Sequence, residues 1–245
     1  MTCILQDFRS DRCAGCGGIC SHKIVVEGLT GAGGIVGTAN IPEKYAHLTH
    51  ETNPIRYDKP ELYNFIDNYA GTLREHMNGG KKPRSLYLVS ETPGTGKTST
   101  AVALLNMVIA YDYLLQASRG EHSTPDIAYF LDVNELQTLY NEFNRPRVPD
   151  HIAEPSAKEY YERIEKAKRA RFAILDDMAV RSTTEGFTGD LHTVINHRVS
   201  NEMVTIYTSN IPRSELENIY TERFYDRLRE GTIEVPFTGK SYRGL

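Results

Sequence analysis

The chain has 245 residues, of which 40% are hydrophobic and 24% charged. These proportions exclude wholesale disorder and allow one large domain with an appendage, or two small domains. A formal net charge of −4 excludes a chain-wide basic surface for coating duplex DNA, though not a local basic patch.

Taken in chain order, the first feature is a cluster of cysteines. Cys3, Cys13, Cys16 and Cys20 are followed by none. The opening segment MTCILQDFRSDRC carries charge where a signal peptide has its apolar stretch, so a reducing, cytoplasmic setting is expected and disulfides are not. Four thiolates suffice for tetrahedral zinc, and His22 is an alternative fourth ligand. Thiols in a flexible tail are the plainer alternative. Residues 28–40 (GLTGAGGIVGTAN) hold five glycines and no charge, and read as a loop or linker. Residues 1–40 are therefore expected to form a small Cys- and Gly-rich head.

Residues 41–83 read as a helical lead-in. Pro60 opens a helix with Leu62, Phe65, Ile66, Tyr69 and Leu73 at helical spacing, ending near Gly79 and Gly80. From residue 84 to 245, short apolar runs alternate with helix patterns. Strands are predicted over 85–90, 127–133, 172–176, 203–208 and 232–237, and helices over 98–115 and 189–200. This alternation argues for an α/β fold with a parallel sheet flanked by helices. No uninterrupted apolar run of about 18 residues occurs, so no membrane span is expected.

The chemistry concentrates at four places. The first is Glu91-Thr92-Pro93-Gly94-Thr95-Gly96-Lys97-Thr98, after a strand and before a helix, which is the setting of a P-loop. Pro93, Gly94, Thr95, Gly96, Lys97, Thr98 and Ser99 are the candidate ATP-binding residues. Glycines let backbone N–H groups face the phosphates, Lys97 would neutralise them, and the Thr98 hydroxyl would bind Mg²⁺. Glu91 stands where the motif has its first glycine.

The second is FAILDD over 172–177. Asp176 at a strand end would hold Mg²⁺, and Asp177 would orient the attacking water. The third is Thr208-Ser209-Asn210 at the end of the strand MVTIYT, where Asn210 would sense the γ-phosphate or position water. The fourth is ERFYDRLR over 222–229. Arg227, or next Arg223, would reach a neighbouring subunit's γ-phosphate as an arginine finger. A solvated charged helix is the alternative there.

Together these residues resemble the DnaC/DnaI-like AAA+ ATPases, the bacterial and phage helicase loaders. The resemblance runs from Ile41 to Leu245 through IPEKY, ETPGTGKT, AILDDM, INHR, YTSN, ERFYDRLR and SYR. The IstB-like transposition ATPases share most of these features. AAA+ proteins usually carry Glu as the second acid of this FAILDD string, and Asp, as at Asp177, is a known variation in the group that the chain resembles.

The resemblance implies an AAA+ core without a separate helical lid, and ATP hydrolysis that loads a replicative hexameric helicase onto single-stranded DNA. It also implies self-association through an arginine finger, a helicase-binding N-terminal head, and Arg243 as a further phosphate sensor. An insert over 134–171 would meet single-stranded DNA. There, residues 163–171 carry five basic residues and one acid, Arg145 and Arg147 stand nearby, and Phe143, Tyr160 and Tyr161 would stack on bases. An IstB-like helper acting on duplex DNA and a P-loop small-molecule kinase are the competing readings.

Overall fold

A computed structural model of the chain describes residues 3–8, 13, 20–179, 183–220 and 222–242. The chain divides into two compact units. One holds the described residues up to Pro83 together with Thr98–Phe130, and the other holds Arg84–Lys97 with the described residues from Leu131.

Five strands form one sheet: β1 (Ser85–Val89), β2 (Ala128–Asp132), β3 (Phe172–Asp176), β4 (Val204–Ser209) and β5 (Thr232–Pro236). Their order is β2-β3-β4-β1-β5. β1 pairs in parallel with β4 and β5, and β3 with β4. β1, β3 and β4 are buried along their whole length, so the apolar runs LYLV and FAIL show no polar face and the hydroxyl residues of β4 are buried with its apolar ones. β5 is buried only at Thr232 and Val235, as suits an edge strand. This order puts the ends of β1, β3 and β4 side by side, where the three candidate motifs leave the sheet.

Ten helices among the described residues complete the chain: α1 (Ser21–Glu27), α2 (Gly34–Thr38), α3 (Ile55–Asp58), α4 (Pro60–Met77), α5 (Lys97–Ser118), α6 (Val133–Asn144), α7 (Asp150–Arg169), α8 (Glu185–Ser200), α9 (Leu216–Ile219) and α10 (Glu222–Gly231). α4 starts on Pro60 and buries Tyr63, Ile66, Tyr69 and Leu73, at the helical spacing of its sequence. α5 is long and apolar enough to cross a membrane by length and composition. With 67% of its apolar window buried inside the protein, it is built as a core helix.

The linker expectation for residues 28–40 is overturned. Those residues include α2, with Val36 and Ala39 in the core. The glycines serve close packing rather than flexibility. A Cβ on Gly34, at φ 57°, would lie 2.4 Å from the Val25 carbonyl oxygen, and one on Gly28, at φ 72°, would lie 2.8 Å from Gly33.

In the second unit the insert is an α6–α7 pair packed together. Its face corrects two expectations about nucleic acid. Tyr160 is fully buried, donates to Asp190 Oδ2 at 2.8 Å, and packs with Tyr140 and Phe143, so it offers no ring for stacking. Arg163 is spanned by Glu135 at 2.8 Å and Glu159 at 2.6 Å, which neutralises the start of the basic segment. Tyr161, Arg145 and Arg147 remain exposed.

α8 is held to its neighbours by Arg198, which is fully buried. Its guanidinium donates to Thr205 Oγ1, Ala167 O, Ala170 O and Val204 O, at 2.6–2.8 Å. All four acceptors are uncharged, and burial pushes this guanidinium down to about 10.

Candidate functional site

The loop between β1 and α5 carries the first motif. Gly94 at φ 79° and Gly96 at φ 97° adopt backbone that L side chains rarely enter, the conformation a tight glycine turn requires. Thr95 is fully buried beneath it, while Pro93 and the unusual Glu91 are exposed. Lys97, the first residue of α5, is 7% exposed. Thr98 and Ser99 follow it in the first turn of the helix and belong to the other unit.

Lys97 Nζ donates to Asn210 Oδ1 at 2.9 Å and to Ser90 O at 3.4 Å. Asn210 Nδ2 in turn donates to Asp177 Oδ1 at 3.2 Å. Three residues from three separate motifs thus form one continuous line of hydrogen bonds. The line exists because β4 lies between β1 and β3 in the sheet.

The two acids differ in setting. Asp176 is 8% exposed and accepts from Thr208 Oγ1 at 2.6 Å. Asp177 is more exposed, stands at φ 57°, and points each carboxylate oxygen at an amide. A positive φ at a residue with a Cβ costs about 1–3 kcal/mol and persists only where surroundings enforce it. Here the enforcement is visible. The Asp177 N–H donates to Thr208 Oγ1 at 2.9 Å, and the Met178 N–H to Thr208 O at 2.8 Å. One threonine therefore sets both acids, its hydroxyl donating to one and accepting from the other.

Asn134 was missed from the sequence. Its Nδ2 donates to Asp177 Oδ2 at 2.6 Å. It stands just past the end of β2, at the first turn of α6, whose N-terminus is capped by Asp132. An Asn directly after a strand end in an α/β sheet was the available signal. A second omission is the tail, where the Tyr242 N–H donates to Gly94 O at 2.9 Å. Arg243 lies outside the described residues.

The arginines occupy α10. That helix buries Phe224 and Leu228 and sets Arg223 and Arg227 on the adjoining row. Arg223 is exposed, and Arg227 is 38% exposed and 3.6 Å from Glu230. Burial together with these two arginine charges lowers the pKa of His192 on α8.

The zinc expectation is not supported. Among the described residues, no group of three or more His, Cys, Asp or Glu is arranged to hold a metal. Cys3, Cys13 and Cys20 are each half-buried, and Cys16 lies outside the described residues. Burial pushes the Cys3 thiol up to about 12, and Glu27 beside it acts in the same direction. The His22 Nδ1 is bound to the Tyr113 hydroxyl at 2.6 Å.

Magnesium fits the donors present. Asp176 is a carboxylate oriented by a hydroxyl, which is hard oxygen chemistry.

No protein-family model and no curated protein sequence matches the chain. Solved structures do. The chain superposes on the DnaC helicase loader with a TM-score of 0.56 at 17% identity, over 80% of this chain and 100% of that one. It superposes on DnaI at 0.53 and 16%, over 83% and 94%. The chain has the fold of the DnaC/DnaI-like AAA+ proteins. The replication initiator DnaA, in a structure bound to AMPPCP and single-stranded DNA, also shares this AAA+ fold, at 0.53 and 16% over 79% of this chain and 50% of that one. The AAA+ core expected from the resemblance is thus the fold observed.

Proposed function

We propose that this chain is an ATP-hydrolysing AAA+ protein of replication initiation that loads a hexameric helicase onto single-stranded DNA. The observation that carries the reading is the line Lys97–Asn210–Asp177. It joins a cation, an amide and a carboxylate beside a glycine loop shaped for phosphates. The likeness to the DnaC helicase loader along that protein's full solved length supports the loader role.

Each residue has one task. The N–H groups of the loop Pro93-Gly94-Thr95-Gly96 bind phosphate oxygens, and Lys97 neutralises their charge. Ser99 continues the first turn of α5 and is counted with the phosphate-binding residues. Asp176 and the Thr98 hydroxyl are the proposed magnesium donors. Magnesium, when bound, withdraws charge from the phosphate oxygens. Asp177 accepts a proton from the attacking water, and Asn210 holds that water and the carboxylate in register. Arg227, or next Arg223, completes the site of a neighbouring copy. Tyr161, Arg145 and Arg147 are the proposed single-strand contacts, and the segment before Asn40 is the proposed helicase-binding head.

The test is retention of a hexameric helicase on single-stranded DNA circles with and without the protein and ATP. Retention that rises only with both supports loading. A protein that leaves the helicase in solution and instead covers duplex DNA contradicts it.

A further inference from the structure

Met178, the residue after the two acids, is fully buried and clamped on both sides. Its N–H donates to Thr208 O at 2.8 Å, and its carbonyl accepts from the Tyr220 hydroxyl at 2.7 Å. Tyr220 is itself anchored at three points. Its N–H donates to Leu216 O at 2.9 Å, its hydroxyl holds Met178, and its ring stacks on Phe224 with centroids 4.2 Å apart and planes 12° from parallel. Phe224 is the buried residue of α10 next to Arg223 and one turn before Arg227. All of these residues belong to the same compact unit.

Two properties follow from this arrangement. The left-handed backbone of Asp177 is held by what clamps Met178, because rotation of one residue displaces the next. The azimuth of α10, and so the direction of its arginine row, is held by the stack on Phe224, because a ring in near-parallel contact resists rolling of the helix. Tyr220 touches both.

We infer that Tyr220 is a positioning residue that ties the acidic loop after β3 to the arginine face of α10 within one subunit. A subunit whose acidic loop is in place thereby presents its arginines in register for its neighbour. The inference rests on the ATPase reading above and adds a residue and a coupling to it. A tyrosine kept only for packing would do as well as phenylalanine. The coupling needs the hydroxyl.

The experiment uses Tyr220→Phe, which keeps the ring and the stack and removes only the bond to Met178. Steady-state hydrolysis is expected to lose about five-fold in kcat, the scale of one buried hydrogen bond, with the KM for ATP unchanged. Mixed assemblies then separate the two ends. In a ten-fold excess of Lys97→Ala, the Tyr220→Phe subunits hydrolyse with arginines from intact α10 helices, which reads the acidic loop. In a ten-fold excess of Arg227→Ala, they lend arginines to intact sites, which reads α10. Both mixtures are expected to run slower than the same mixtures made with the unsubstituted chain. Either mixture matching its control overturns the coupling, and so does a kcat for Tyr220→Phe equal to that of the unsubstituted chain. An unsubstituted chain that hydrolyses no ATP defeats the ATPase reading itself, and the inference with it.

Discussion

Asn210 stands between Lys97 and Asp177, accepting from the lysine at 2.9 Å and donating to the carboxylate at 3.2 Å. An amide can do both at once because its oxygen and nitrogen carry opposite roles. Neither Asp nor Leu of similar size reproduces that. Asn210→Ala is expected to lower the kcat for ATP hydrolysis by about 100-fold while leaving ATP affinity within a few-fold, since the glycine loop and the Lys97 charge are retained and Lys97 loses only its bond to Asn210. Nucleotide titration beside steady-state turnover checks this, and an equal loss in both quantities would contradict the role assigned to Asn210.

Asn134 acts on the same carboxylate from the other side. Its 2.6 Å bond to Asp177 Oδ2 occupies the oxygen that Asn210 leaves open. A carboxylate hydrogen-bonded at both oxygens has fewer free lone pairs to offer the attacking water. Asn134→Ala is therefore expected to raise hydrolysis by the isolated protein about three-fold, a modest effect of one hydrogen bond. A fall in rate would mean that Asn134 supports Asp177 rather than restraining it.

Arg198 gives the clearest stability test. Its side chain satisfies three backbone carbonyls and Thr205 from a fully buried position. Arg198→Ala leaves those acceptors without their donor and opens a cavity, so unfolding in denaturant is expected to show a loss of about 3–5 kcal/mol. A loss below about 1 kcal/mol would show that water replaces the guanidinium.

His192 supplies a pH dependence. Its pKa is lowered by burial and by the charges of Arg223 and Arg227. The folded state thus prefers the neutral ring, and below the ordinary histidine value of 6.5 the unfolded chain binds the extra proton more readily. The stability from this group is complete above pH 6.5 and is lost as the pH falls below it. His192→Gln is expected to lose less stability than the unsubstituted chain between pH 7.5 and about 5.5, measured by thermal unfolding. Identical losses would remove His192 as the source.

The sheet was readable because β1, β3 and β4 are buried on both faces, so apolar residues fall at consecutive positions in each. The strand bounds differ from the expected ones by a residue or so, as with β4 starting at Val204 rather than Met203. Lys97, Asp176, Asp177 and Asn210 were readable because each follows a strand in a recognisable string. Asn134 and Tyr220 were not singled out, and Thr208 was named only within the string before Asn210, because their importance comes from contacts across 31 to 43 positions of chain. The glycines between 28 and 37 misled in a different way. Composition alone cannot tell a glycine needed for close backbone approach from one in a flexible linker, and Gly34 is of the first kind. The basic run from Arg163 to Arg171 looked more available than it is, because Glu135, which pairs with Arg163, comes from another helix.

The central claim is that ATP is hydrolysed at the line through Lys97, Asn210 and Asp177. Release of inorganic phosphate from ATP by the unsubstituted chain and by Lys97→Ala, side by side, tests it most directly. The expected result is turnover by the first and a rate at background for the second. Equal rates from the two proteins would contradict the account.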